Sequence, residues 1–197
     1  ADEGDGALHL LSIADLSSPQ HIHKFQPGSS GLPLAAAGGF ATALAPLVWP
    51  QSVLDGGRNY ELAVGATSAA GGAGAVYLLS FSSSGTAVRW AAITASVGVG
   101  NFTSDLPAGA QFGSALAMLS DLDGDGYPEL AVAAPSTERV DGYTGQQVRG
   151  SVYVLFLGSD GIVRKSVAIE AALGGFDARP RSFGGALAAI PDLDGDG

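Results

Sequence analysis

Asp121-Leu122-Asp123-Gly124-Asp125-Gly126-Tyr127-Pro128-Glu129-Leu130 decides how the chain is read, because its first six residues return as Asp192-Leu193-Asp194-Gly195-Asp196-Gly197, 71 positions later. Each copy follows the same lead-in at the same distance, Phe112-Gly113-Ser114-Ala115-Leu116-Ala117 and Phe183-Gly184-Gly185-Ala186-Leu187-Ala188. A third lead-in, Phe40-Ala41-Thr42-Ala43-Leu44-Ala45, lies 72 positions before the second. Self-similarity at a fixed period marks an array of like units sharing one continuous structure.

Within the unit from Phe112 to Ser182, four apolar stretches alternate with turn residues. The first is Ser114 to Leu119, and the acidic loop follows it. The second is Leu130 to Ala134, stopped by Pro135, which has no N–H for a ladder. The third runs from Ser151 to Leu157 between Gly150 and Gly158-Ser159-Asp160-Gly161, and the fourth from Ile162 to Ala171. Their length and their β-branched and aromatic content make them strands. The preceding unit repeats the order with Glu61 to Ala66, Gly74 to Leu79 and Val88 to Ser96. Gly6 to Leu11 and His21 to Gln26 read as the last two strands of an earlier unit.

The expected fold is all-β, a β-propeller of four-stranded antiparallel blades. Residues 1–39 hold the last strands of one blade and an inter-blade loop. Residues 40–111 and 112–182 are complete blades, and 183–197 open the next. Both ends read as cuts in a longer polypeptide, so the chain is a fragment of the complete ring. Thirty Gly and ten Pro among 197 residues punctuate the sequence as short strands require. There are no cysteines, which excludes disulfides and thiolate metal sites.

The formal charge of −10 is concentrated rather than spread. Asp121, Asp123, Asp125, Glu129, Asp192, Asp194 and Asp196 supply seven of the 19 acidic residues, and the remainder carries about −3. The nine Lys and Arg are scattered, which argues against nucleic acid as a partner. The uncharged run from Phe25 to Leu54 is long enough to cross a bilayer, but Pro27, Pro33, Pro46 and Pro50 interrupt it and its register follows the repeat. No membrane insertion is expected of this segment.

These motifs resemble the FG-GAP repeat of integrin α-subunit propellers. The second unit carries Phe112-Gly113, the Asp-x-Asp-x-Asp-Gly loop, and Ala133-Ala134-Pro135 where the family has Gly-Ala-Pro; the third carries Phe183-Gly184 and the loop. The first unit departs with Phe40-Ala41 and Gly65-Ala66-Thr67. The resemblance implies seven blades when complete, calcium in the loop between the first two strands of certain blades, and an opposite face that contacts ligands or partner subunits.

Calcium takes hard oxygen ligands, and alternate carboxylates separated by glycines can wrap one ion. Asp121, Asp123 and Asp125 are the candidate side-chain ligands, with the Tyr127 carbonyl and Glu129 closing the loop. Gly124 and Gly126 allow the curl, and Leu122 is expected to turn towards the blade core. An EF-hand would place Glu at the twelfth position, which is Val132, and helices on both flanks. Asp192, Asp194 and Asp196 form the second candidate site, cut short at Gly197. The first unit has only Asp55 and Glu61 at matching places, and no calcium is expected there.

Asn101-Phe102-Thr103 is a glycosylation sequon in a polar inter-blade loop. His21 and His23 alternate on a strand and are expected to share a face. No third ligand is evident, so they read as exposed side chains of an outer strand rather than a zinc site. Gly113-Ser114-Ala115 lacks a nucleophile-elbow pattern, and Gly71-Gly72-Ala73-Gly74 precedes a strand rather than a helix. No catalytic residue and no organic cofactor site is assigned, and the chain is not expected to be an enzyme. The loop Ser136 to Arg149 carries Glu138, Arg139, Asp141, Tyr143 and Arg149, and the resemblance implies that it lies on the partner-contact face.

The function expected is that of a calcium-binding extracellular or cell-surface module for adhesion or protein–protein interaction. The alternatives are a structural part of an extracellular coat or filament, and an accessory propeller of a secreted enzyme such as a phospholipase. In each case the chain would belong to a larger assembly.

Overall fold

A computed structural model describes residues 6–12, 18, 20–26, 38–48, 61–94, 102, 106–140, 147–158, 160–170 and 182–190. Strands β1 (Leu8–Ser12) and β2 (Gln20–Phe25) form a two-stranded antiparallel sheet. A four-stranded sheet follows in meander order: β3 (Phe40–Pro46), β4 (Leu62–Ala66), β5 (Ala75–Phe81) and β6 (Ala87–Thr94). A second four-stranded sheet repeats it with β7 (Leu116–Met118), β8 (Glu129–Val140), β9 (Gln147–Leu157) and β10 (Val163–Glu170). All pairings within these sheets are antiparallel. The all-β architecture and the order of strands match the reading of the sequence. No helix among the described residues is long and apolar enough to cross a membrane.

The central strands are apolar on both faces because each sheet is covered on both. Along β5, Val76 and Leu78 face one hydrophobic cluster, while Ala75, Tyr77 and Leu79 face another. The first cluster continues onto the second four-stranded sheet through Leu130, Val132, Tyr153 and Leu155; the second joins Leu8 and Phe25 of the two-stranded sheet. Alternate side chains thus bind a sheet to its two neighbours, the arrangement of stacked blades. A third cluster, Ala117, Ala131 and Val152, packs with Leu119, Phe183 and Leu187, so the opening of the last unit covers the far face. The outer strands β6 and β10 alternate with more exposed positions.

The Phe that opens each unit lies against the glycine that precedes the third strand of the unit before. A Cβ built on Gly6, Gly74 or Gly150 would collide with the backbone of Phe40, Phe112 or Phe183 respectively. Phe112 N donates to Ala73 O at 2.9 Å, and Gly74 forms an isolated parallel bridge to Phe112. Only a residue without Cβ allows this approach. Phe112 then buries its ring against Phe102 and Tyr153, at centroid distances of 5.1 and 5.8 Å.

Most strand ends shift by one or two residues from those read in the sequence, and the larger differences fall in the second full unit. The first strand of the second full unit is shorter than Ser114 to Leu119. Pro135, expected to end its strand, lies within β8, at a register shift between Ala134 and Glu138. At such an irregularity a missing N–H costs no ladder bond, so the strand passes through. The stretch expected as a loop from Ser136 to Arg149 is correspondingly a two-stranded ribbon at its base: Glu138 pairs with Arg149, and Val140 with Gln147. Thr137 Oγ1 bonds Ala134 O at 3.0 Å and Ser151 Oγ at 2.9 Å, satisfying buried hydroxyls where the ribbon leaves the sheet. Residues 141–146, including Tyr143, lie outside the described residues.

Candidate metal centre

The acidic loop is the connection between β7 and β8, and the two strands fix its ends. Met118 pairs with Leu130, and Leu119 N donates to Glu129 O at 2.8 Å. Inside this closed hairpin Asp121 organises the curl. Its Oδ1 accepts from Gly124 N at 2.7 Å and its Oδ2 from Gly126 N at 2.8 Å. Asp123 Oδ1 accepts from Asp125 N at 3.3 Å, and Asp125 Oδ1 from Tyr127 N at 2.9 Å. Gly124 and Gly126 take φ of 78° and 89°, the left-handed conformation that glycine adopts without strain.

This winding gathers the four carboxylates. One oxygen from each of Asp121, Asp123, Asp125 and Glu129 lies within 4.8 Å of the others. The three aspartates are exposed, whereas Glu129 is 1% exposed. Glu129 Oε2 accepts from Leu122 N at 2.5 Å, but Oε1 is buried with no hydrogen-bond partner among the described residues. Burial raises the Glu129 carboxyl to about 7; the Leu122 amide opposes the rise, and the charges of Asp123, Asp121 and Asp125 add to it. At this spacing each pair of carboxylates repels by roughly 1 kcal/mol in water, and by more where solvent is excluded.

An all-oxygen donor set with one buried, unsatisfied carboxylate oxygen fits a hard divalent cation. It fits zinc or copper poorly, since neither imidazole nor thiolate is present. The structure brings Asp121, Asp123, Asp125 and Glu129 together as the sequence predicted, and places Tyr127 between the last two. The Tyr127 ring packs on the main core, which fixes the loop's exit. Leu122 departs from expectation. It is 56% exposed rather than turned into the blade, because its amide is held inward by Glu129. The role of Asp121 as an acceptor for two glycine amides was not read from the sequence, although Asp followed by glycines is a common turn signature.

The corresponding Glu61 of the first unit points elsewhere: its Oε2 accepts from Phe81 N at 3.1 Å. Asp55 of that unit, Asp192, Asp194 and Asp196 of the third loop, and Asn101 of the sequon all lie outside the described residues.

Comparison with known proteins agrees with the repeat. The FG-GAP repeat family model matches residues 112–155, which span β7, the acidic loop, β8 and most of β9. The chain is 40% identical over 90 residues to integrin alpha-V of Gallus gallus, covering 45% of this chain and 8% of that protein. It is 39% identical over 88 residues to integrin alpha pat-2 of Caenorhabditis briggsae, covering 44% and 6%. With integrin alpha-PS2 of Drosophila melanogaster it shares 37% over 94 residues, again 44% and 6%. The match thus spans less than a tenth of the length of these relatives.

Proposed function

We propose, for this FG-GAP repeat chain of the integrin-α-like family, a calcium-braced β-propeller module that serves adhesion or protein–protein contact outside the cell and performs no catalysis. The observation that carries the reading is Glu129: a buried carboxylate with one bare oxygen, facing three aspartates inside the family's characteristic loop. A calcium ion there would supply the positive charge that relieves this repulsion. Asp121, Asp123, Asp125 and Glu129 would hold it, with the Tyr127 carbonyl as a further ligand. Asp121 keeps the loop curled through two glycine amides, and Glu129 anchors it to the first residue of β8. Bracing this hairpin fixes the inner two strands of the blade against each other.

Extracellular calcium modules bind at about 10⁻⁴ to 10⁻³ M, a range that leaves such sites empty in cytosol and filled outside. Together with the integrin alpha relatives, this supports an extracellular or cell-surface setting. Asp192, Asp194 and Asp196 are proposed as a second loop of the same kind, and Asn101 as a glycosylation site. The stretch from Ser136 to Arg149 is the proposed contact for a protein partner.

Calorimetric titration of the intact protein with calcium tests the metal assignment. Saturable binding whose stoichiometry falls by one site in Asp123→Ala supports it; no heat at millimolar calcium would defeat it. A coat or filament component is favoured by one feature, the exposed apolar residues of the outer strands: Val88 and Trp90 on β6, Val167 and Ile169 on β10. Concentration-dependent self-association in calcium would select that second reading.

A further inference from the structure

The hairpin of β1 and β2 brings together two imidazoles that its sequence keeps apart. His23 pairs with Leu10 and His21 with Leu11, so Ile22 is an extra residue between successive pairs. That bulge reverses the alternation beyond it. His23 stays on the core side with Leu10, where its ring lies 5.9 Å from that of Phe25 and its Nε2 is 3.5 Å from Thr86 Oγ1. His21 moves to the opposite face with Leu11 and His9. The expectation that His21 and His23 share a face is thereby corrected, and the reason is the bulge.

On that opposite face His9 Nδ1 and His21 Nε2 approach to 3.1 Å, with ring centroids 5.2 Å apart and planes tilted by 59°. Two imidazole nitrogens bound to one ion at about 2.0–2.1 Å, subtending an angle between square and tetrahedral, stand about 2.8–3.4 Å apart. The observed separation falls in that range with neither strand displaced. In the structure this contact is a hydrogen bond from one ring to the other, and a divalent ion would displace the shared proton and take both lone pairs.

We propose that His9 and His21 form a two-imidazole site for a divalent transition ion of the zinc, nickel or copper class. Imidazole is a ligand these ions favour and calcium does not. Lys24, paired with His9 across the strands, shares the face. The remaining coordination positions are open to water or to a side chain brought by a neighbouring sheet. His9 occupies the place taken in the next two units by Tyr77 and Tyr153, each of which packs against the sheet before it. An ion held here would therefore lie on a blade-to-blade face.

The test is a zinc titration of the intact protein in saturating calcium, so that the acidic loop is occupied, followed by thermal melting and by chemical shifts of the histidine rings. Zinc is expected to raise Tm and to shift the His9 and His21 resonances together, with the response lost at acidic pH. His9→Ala and His21→Ala should each abolish the Tm response, while His23→Ala should retain it. Absence of zinc binding to the wild type, or its survival in both single variants, or its loss in His23→Ala alone, would overturn the assignment. The ring shifts of the wild type decide the matter if a variant does not fold.

Discussion

The carboxylate of Glu129 accepts the backbone amide of Leu122 at 2.5 Å, tying the start of the acidic loop to the first residue of the strand that leaves it. The bond uses one oxygen and leaves the other buried and bare. A side chain that both closes the loop and faces its aspartates couples the local fold to the charge held there. Removing either function separates structure from binding.

The protonation of Glu129 gives the first prediction. The ordinary value is 4.5, and burial raises the folded value to about 7. The folded state therefore binds more protons than the unfolded chain between those values. The stability this group contributes is whole below about pH 4.5 and is lost as pH rises through 7. In calcium-free buffer, Glu129→Gln should match the wild type near pH 5 and exceed it in Tm near pH 8. In calcium the order reverses at the higher pH, because the variant has lost a charged ligand. A Tm difference that stays flat with pH in the absence of calcium would contradict the cause assigned here.

Asp121 and Asp123 should fail differently. Asp121 accepts two glycine amides, at 2.7 and 2.8 Å, so Asp121→Ala removes the scaffold as well as a ligand. A loss of about 1–3 kcal/mol even without calcium is expected. Among the described residues Asp123 accepts one long bond, at 3.3 Å, from Asp125 N. Asp123→Ala should leave the calcium-free protein at least as stable as wild type, one repelling charge being gone, while losing this loop's share of the calcium-induced rise in Tm. Denaturant melts with and without calcium would separate the two; equal losses in both variants would remove the distinction.

How far these features could be read from the sequence depends on which residues mark them. The strands of the two full units were legible because Gly and Pro punctuate them and their central residues are apolar on both faces. The four carboxylates were legible because their spacing survives folding intact. The bulge at Ile22 was not, since one extra residue in a strand carries no glycine or proline to announce it. The ribbon base at Glu138 and Arg149 reads as loop because its residues are polar and charged and show no apolar alternation. Leu122 was misplaced for a related reason: its hydrophobicity pointed inward, whereas the Glu129 bond held its amide there instead.

The contact between Gly74 and Phe112 yields a paired prediction. Gly74 has φ of 96° and no room for Cβ against the Phe112 backbone. Gly74→Ala should cost about 2–4 kcal/mol from strain and displacement together. Ala41 shows the reverse case. It holds φ of 63°, where the matching Gly113 and Gly184 have 90° and 84°. Ala41→Gly should stabilise the protein by up to about 1 kcal/mol, the left-handed strain being only partly offset by the freer unfolded chain. Chemical denaturation of the two variants would check both signs.

The ribbon that leaves the second four-stranded sheet sets an exposed ion pair beside a buried hydroxyl pair. Glu138 and Arg149 meet at 3.0 Å, but about half of each side chain is exposed, at 59% and 46% respectively. An ion pair of that kind contributes about 0.2–1 kcal/mol and fades with salt, so Glu138→Ala should barely move Tm. Thr137 and Ser151 are 1% and 2% exposed and bond at 2.9 Å. Thr137→Val keeps the shape, but it strips Ser151 of this buried partner and leaves the Ala134 carbonyl without the hydroxyl that donates to it. A loss of about 1–3 kcal/mol follows, insensitive to salt. If Glu138→Ala proved the more damaging change in urea melts, the ribbon would be held by its charged rim rather than by the buried hydroxyls at its root.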